Sequence, residues 1–296
     1  MRHAIVVAVL ASVCFSSCAD EDSPSTVLRF SVLPDWNKGK LSRDSQKLAS
    51  LLAEKLGLAV AYVPSNDYTA CVNALAANKI DFVWLGGKTT CDAIDVGQGA
   101  VHVLATRDID LRFKSYFIGN HEAVLAGKLT EVEGLEDWRG KLNAVRFTFG
   151  DINSTSGHLM PRHFLTQAGI DPDKDFSSVG NSGSHSATLQ SVANGTVDCG
   201  ALNYAYYDAV SEDLKAKAQI LYTTPEYVDY AWVAHDRIGA ALIGKLRQAL
   251  IGLDSENVRD KAILDAWNAG SFRVATDEQW AAIRAVRDSL PRGFLK

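Results

Sequence analysis

From residue 28 to residue 85, short apolar runs alternate with amphipathic stretches in a rhythm that a layered α/β fold satisfies. Residues 28–33 alternate in polarity and stop at Pro34, which reads as a strand. Leu48, Leu51, Leu52 and Leu56 recur at helical spacing and are halted by Gly57. Residues 58–63 form a second apolar, branched run, Asn66 to Thr69 opens a helix to about residue 78, and residues 80–85 give a third strand closed by Gly86 and Gly87. Strand, helix, strand, helix, strand at this spacing predicts a parallel sheet with right-handed crossovers.

A second cycle starts near residue 116. A strand at Phe117 and Ile118 is followed by a short helix at 135–141, a strand at 143–149, a helix at 158–168, an approach to Val179, a helix at 186–194 and a strand at 197–202. After Pro225 come a strand at 230–234 and helices at 239–253, 257–268 and 277–289, which have no strands of their own to cover. The chain is therefore expected to return to its first lobe, giving lobe 1 as residues 27–115 and 227–296 and lobe 2 as residues 116–226. Two crossings, near 113–117 and 224–229, make a hinged clamp whose ligand site lies beyond the carboxyl ends of the strands.

The N-terminus differs from the rest. Arg2 and His3 precede an apolar run at 4–11 that is too short to span a bilayer and reads as a secretory signal. Phe15-Ser16-Ser17-Cys18 resembles a bacterial lipoprotein cleavage site, with Phe15 where Leu is usual; a plain signal cut is the alternative. Residues 1–18 are thus expected to be a signal with lipidation at Cys18, residues 19–26 a polar tether, and the protein anchored by lipid in the cell envelope. With 22% charged residues, a net charge of −5 and no Lys/Arg run, a nucleic-acid partner is not expected. Of the five cysteines, Cys71, Cys91 and Cys199 remain in the mature chain, an odd number for an oxidising compartment.

The chemistry concentrates at helix starts. Asn153-Ser154-Thr155-Ser156-Gly157 follows a strand and precedes a helix. One hydroxyl suffices to cap a helix. Three in succession, between Gly150 and Gly157, build an anion cradle from hydroxyls, backbone N–H groups and the helix dipole, with no lysine needed. Gly183-Ser184-His185-Ser186 repeats the arrangement, and His185 donates to an oxyanion in either protonation state or else bonds the backbone. In lobe 1, Asp67-Tyr68-Thr69 opens a helix, where Tyr68 offers its hydroxyl, walls the cleft or packs on the sheet edge. No Gly-x-Ser-x-Gly elbow or close His pair appears, and His158 and His163 are five apart, poor spacing for one metal. A hydrolase using Ser184 and His185 is disfavoured because adjacent residues seldom give nucleophile–base geometry.

These turns, with Phe149-Gly150-Asp151, Val192-Ala193-Asn194-Gly195 and Trp84-Leu85-Gly86-Gly87, closely resemble the phosphate/phosphite/phosphonate (selenate-like) substrate-binding proteins of ABC importers over essentially the whole mature chain. The resemblance implies a two-lobe periplasmic-binding-protein fold of type II, each lobe a mixed or parallel sheet flanked by helices, in a monomer without cofactor or metal. It implies that Ser154, Thr155 and Ser156 hold the anion's oxygens, with His185, Tyr68 and the hinge Tyr116 around it. Asp229 matches an acidic position that binds an amine in some members; the other such position falls at Asn203 and Tyr204 and is not acidic, so a bare oxyanion fits better.

Cys71 departs from the family pattern. A helix start lowers a thiol's pKa, and thiolates suit thiophilic centres. Here the chain resembles a branch that senses arsenic oxyanions for a histidine kinase, with Cys71 as the matched thiol. A Cys71–Cys91 disulfide and two core thiols are the competing readings. The leading expectation is a periplasmic receptor delivering phosphite, phosphonate or selenate to an ABC permease; the alternative is an arsenite/arsenate sensor partnered by a kinase.

Overall fold

The computed structural model describes residues 27–36 and 38–290. The expected signal, Cys18 and the tether lie outside them. The chain begins with β1 (Leu28–Val32), α1 (Lys38–Leu56), β2 (Val60–Tyr62), α2 (Tyr68–Ala76), β3 (Phe82–Leu85), α3 (Gly87–Gly97) and β4 (Val101–Arg107). It crosses into β5 (Ser115–Asn120), α4 (His121–Leu125), β6 (Arg146–Phe149), α5 (Met160–Gln167), α6 (Pro172–Asp175), β7 (Ser178–Asn181), α7 (His185–Ala193), β8 (Cys199–Asn203), α8 (Tyr204–Asp208), α9 (Glu212–Lys217) and β9 (Ala218–Thr223). It returns as β10 (Ala231–His235), α10 (Ala240–Ile251), α11 (Val258–Ala266), β11 (Phe272–Val274) and α12 (Ala281–Ser289).

Two sheets result, ordered β11-β4-β10-β3-β1-β2 and β7-β6-β8-β5-β9. β1 pairs in parallel with β2 and β3, whereas β10 runs antiparallel to β3 and β4. The first sheet is therefore mixed: the strand that returns from the second lobe enters it from the opposite end. The helices after β10 do have a strand of their own, since β11 pairs antiparallel with β4. Three residues at a sheet edge are too few to show a period.

The helices bury the stripes the sequence marks. Leu48, Leu52 and Leu56 of α1 lie against a first-sheet core in which Phe30 and Phe82 stack and Trp232 meets both rings. Gly57, at φ +68°, ends α1 in the left-handed conformation that a side chain resists. The second sheet has its own core, with Phe117, Phe147, Phe149 and Trp138. The two crossings pair with each other: Phe113 and Tyr227 exchange backbone hydrogen bonds of 2.8 Å each way. At their foot Arg107 grips the buried Asp110 through two side-chain bonds of 2.7 and 2.6 Å and donates to the Trp267 carbonyl.

Candidate functional site

Both sheets aim helix starts at the space between them. Tyr68, Gly87 and His185 are the first residues of α2, α3 and α7. Asp67 and Ser184 cap α2 and α7 with their own side chains, accepting from Ala70 and Ala187. The Ser-Thr-Ser turn is capped by Ser154, whose Oγ accepts from Gly157 at 3.0 Å. The expected plain helix there is instead preceded by a π-helical turn, Thr155–Leu159, in which the Leu159 N–H reaches back five residues to the Ser154 carbonyl at 3.0 Å. This wider turn is a frequent feature of functional sites. It is pinned by Gly150 N–H on the Gly157 carbonyl.

Four side-chain atoms here are buried and have no hydrogen-bond partner: Tyr68 Oη, Ser156 Oγ, His185 Nε2 and Asp229 Oδ2. Each buried polar group left unpaired costs about 1–3 kcal/mol, so a gathering of them at one place marks a missing guest rather than a folding solution. Tyr68 faces Ser154 and lies within the fields of Asp35, Asp151 and Asp229. A Cβ added to Gly86 would lie 3.3 Å from both Asp229 Oδ1 and Thr155 Oγ1; one added to Gly157 would lie 3.3 Å from His185 Cε1. Glycine is thus required twice for these groups to approach.

The donors are neutral. The Asn203 N–H donates to His185 Nδ1 at 3.4 Å, which leaves the ring proton on the unpartnered Nε2. Burial holds the His185 pKa down at about 4, so it donates as imidazole. Asp229 Oδ1 accepts from Gly87 N–H at 2.7 Å; burial raises its carboxyl to about 7, partly offset by that bond and the Thr155 hydroxyl. Nearby cations are engaged: Lys88 Nζ bonds Asp92 and Asn153, and Arg107 is held by Asp110 and lies 5.3 Å from the Trp84 ring.

The jaws are shut by direct bonds between lobes. Lys88 N–H donates to Thr155 Oγ1 at 2.9 Å, Asn153 Nδ2 to Thr69 Oγ1 at 3.1 Å, and Asn203 Nδ2 to Tyr230 Oη at 3.3 Å. Tyr230 in turn donates to Asp35 at 2.6 Å, and Trp36 meets Tyr206 edge-on at the rim. A groove of about 510 Å³ opens outward there, lined by Asp35, Asp67, Asp151, Trp36 and Tyr206 among others.

Not every anticipated residue joins this group. Tyr116 packs edge-on against Tyr204 and Tyr207, with its hydroxyl facing Asp208, and Tyr204 also abuts Phe113. Tyr227 takes the hinge position instead. Its hydroxyl bonds Ser115 Oγ at 2.6 Å, and Ser115 donates to the Ser156 carbonyl at 2.7 Å. Asn203 acts as a helix cap and lobe bridge.

The thiol reading is corrected. Cys71 is fully buried beneath β1, its Sγ donating to the Val32 carbonyl at 3.6 Å, and desolvation pushes its pKa up to about 11. The helix-start effect loses to burial, and no thiolate faces the cleft. Nor is there a disulfide: Cys71 and Cys91 are both free, and Cys91 bonds the Trp280 carbonyl on another face of the core.

Asp35, Lys88, Tyr227 and Tyr230 were not singled out from the sequence. Asp35 directly follows the carboxyl end of β1, the position the strand-end rule indicates, and Lys88 follows Gly86-Gly87 after β3.

Comparison with known proteins agrees with this geometry. Residues 30–280 match the family described as ABC transporter, phosphonate, periplasmic substrate-binding protein. The chain is 36% identical over 272 residues to a probable ABC transporter phosphite binding protein of Prochlorococcus marinus, covering 88% of each. It is 22% identical over 290 residues to the phosphonates-binding periplasmic protein of Escherichia coli, covering 94% of this chain and 83% of the other. The Prochlorococcus protein in complex with methylphosphonate superposes with a TM-score of 0.82 at 35% identity, over 88% of this chain and 97% of that one. A phosphonate transporter component from Pseudomonas aeruginosa shares the fold, with a TM-score of 0.76 at 21% identity, over 89% and 86%.

Proposed function

This chain belongs to the ABC transporter phosphonate periplasmic substrate-binding protein family, with the two-lobe type II fold, and we propose that its cleft captures a small phosphorus oxyanion such as phosphite or methylphosphonate. The observation that carries the reading is the set of buried, unpartnered atoms on Tyr68, Ser156, His185 and Asp229. Tyr68, Ser156 and His185 donate to the oxygens, and the N–H groups of the Ser154–Ser156 turn add the helix-start field. Closing over the anion removes water, which strengthens each of these bonds in the low-dielectric interior. The lobes, residues 27–115 with 227–296 and residues 116–226, swing about the paired crossings, and the closed pair of surfaces is what an ABC permease reads. The mature protein works as a monomer tethered through lipid on Cys18.

The experiment is titration calorimetry of the lipid-free protein with phosphite, methylphosphonate, sulfate, selenate and arsenite. Micromolar or tighter binding of the first two is expected. A ligand at 100 times its Kd raises stability by about 2.7 kcal/mol, visible as a thermal shift. Absence of binding by every phosphorus oxyanion removes the reading. The arsenic-sensing alternative retains no residue to carry it, since it depended on a Cys71 thiolate in the cleft.

A further inference from the structure

Asp229 is the odd member of the site. Every other unpartnered atom is a donor or can act as one, but a carboxylate oxygen only accepts. It is fixed in place, because Oδ1 is held by Gly87 N–H and the Asp229 backbone carbonyl accepts from Trp280 Nε1 at 2.6 Å. Its Oδ2 is buried without a donor. No cation is left to fill the gap: Arg107, whose field reaches it, is already bound to Asp110 and the Trp267 carbonyl. The groups whose fields couple with it are Arg107 and Asp110 at the first crossing, Tyr68 on α2, and Tyr227 and Tyr230 on its own segment. None of these puts a hydrogen on Oδ2.

An oxyanion placed against such a carboxylate sets two like charges side by side in a water-free space, and both cannot stay ionised. A single proton between Oδ2 and a ligand oxygen resolves this and forms a short, charge-assisted O–H···O bond. We propose that the closed complex retains one proton shared between Asp229 and the bound phosphorus oxyanion, so that Asp229 is a ligand contact that couples capture to proton uptake. This rests on the proposed function above. The carboxyl pKa raised to about 7 places the coupling in the range where phosphite and phosphonates also lose their last proton.

In the free state Asp229 and the ligand both shed their protons as pH rises. Above both ionisations, binding must therefore take one proton from solvent, and affinity should fall tenfold per pH unit. The test is titration calorimetry with methylphosphonate at pH 8.5 in two buffers of different ionisation enthalpy, followed by Kd from pH 7 to pH 9.5. Uptake of about one proton and the tenfold slope are expected for the natural protein. Asp229→Asn keeps an acceptor for Gly87 N–H and puts a donor where Oδ2 was, so uptake should vanish and the slope flatten. His185→Gln should keep the uptake. If His185→Gln abolishes uptake while Asp229→Asn retains it, the proton belongs to the imidazole and the proposal is wrong. A pH-independent Kd in the natural protein overturns it, even if neither variant folds. So does an aminoalkylphosphonate that binds more tightly than methylphosphonate with no uptake, since an ammonium then meets Oδ2. Failure to bind any phosphorus oxyanion at any pH would instead dispose of the functional reading itself.

Discussion

The two walls of the cleft are built from opposite chemistry. The second-lobe wall presents Ser154, Thr155, Ser156 and His185, hydroxyls and a neutral imidazole on two helix starts. The first-lobe wall presents Asp35 and Asp229, both buried with raised pKa values, alongside Tyr68 and Tyr230. Asp151 is the second lobe's carboxylate at the rim. One wall welcomes negative charge; the other tolerates it only with a proton or after closure. The contrast teaches an order of events: the anion docks on the second lobe, and the first lobe closes over it as a selective cover.

The largest expected effect concerns stability without ligand. Asp229 has a folded pKa near 7 against an ordinary value of 3.8, so its burial favours folding only while it is protonated. The favourable contribution is complete below pH 3.8 and is lost as pH rises to 7. Its ionised form then costs on the order of 4 kcal/mol at pH 8. Unliganded Asp229→Asn should accordingly melt well above the natural protein at pH 8 and alongside it at pH 3.5, followed by circular dichroism. Equal melting at pH 8 would show that the first-lobe wall is not the strained one.

Next come paired wall variants. Ser156→Ala removes a docking donor and should weaken methylphosphonate binding about 30- to 100-fold, whereas Tyr68→Phe on the cover should cost about tenfold. Calorimetry decides the order, and the reverse ranking would exchange the roles of the walls. Gly157→Ala crowds Ser154 Oγ at 3.1 Å and His185 Cε1 at 3.3 Å. It should lower stability by about 1–2 kcal/mol and affinity severalfold, read by melting and titration. Cys71→Ser places a hydroxyl in the thiol's core site. A loss of roughly 1–2 kcal/mol in stability with an unchanged methylphosphonate Kd is expected. A change in ligand affinity there would return Cys71 to the cleft.

Much of the fold was legible because local patterns and global packing agree. Leu48 to Leu56 announced α1, and the apolar runs announced β1, β3 and β5. The cradle was legible too, since three hydroxyls exceed what a cap requires. The edge strand β11 was not, being only three residues long, and the π-helical turn has no composition of its own. Asp35 and Tyr230 were hidden because their hydrogen bond joins residues 195 positions apart.

Tyr68 and Cys71 mark where sequence ended and tertiary structure began. The sequence by itself determined that a helix starts at Tyr68, that its first turn carries a phenol and a thiol, and that a Ser-Thr-Ser turn heads another helix. Only the packed structure decided that the phenol reaches the cleft while the thiol lies under β1. Helical side chains lean toward the N-terminus, and three residues advance a helix by about 4.5 Å, enough to pass from the sheet's open edge to its covered face. That distance lies between elements brought together by the fold, and no local pattern records it.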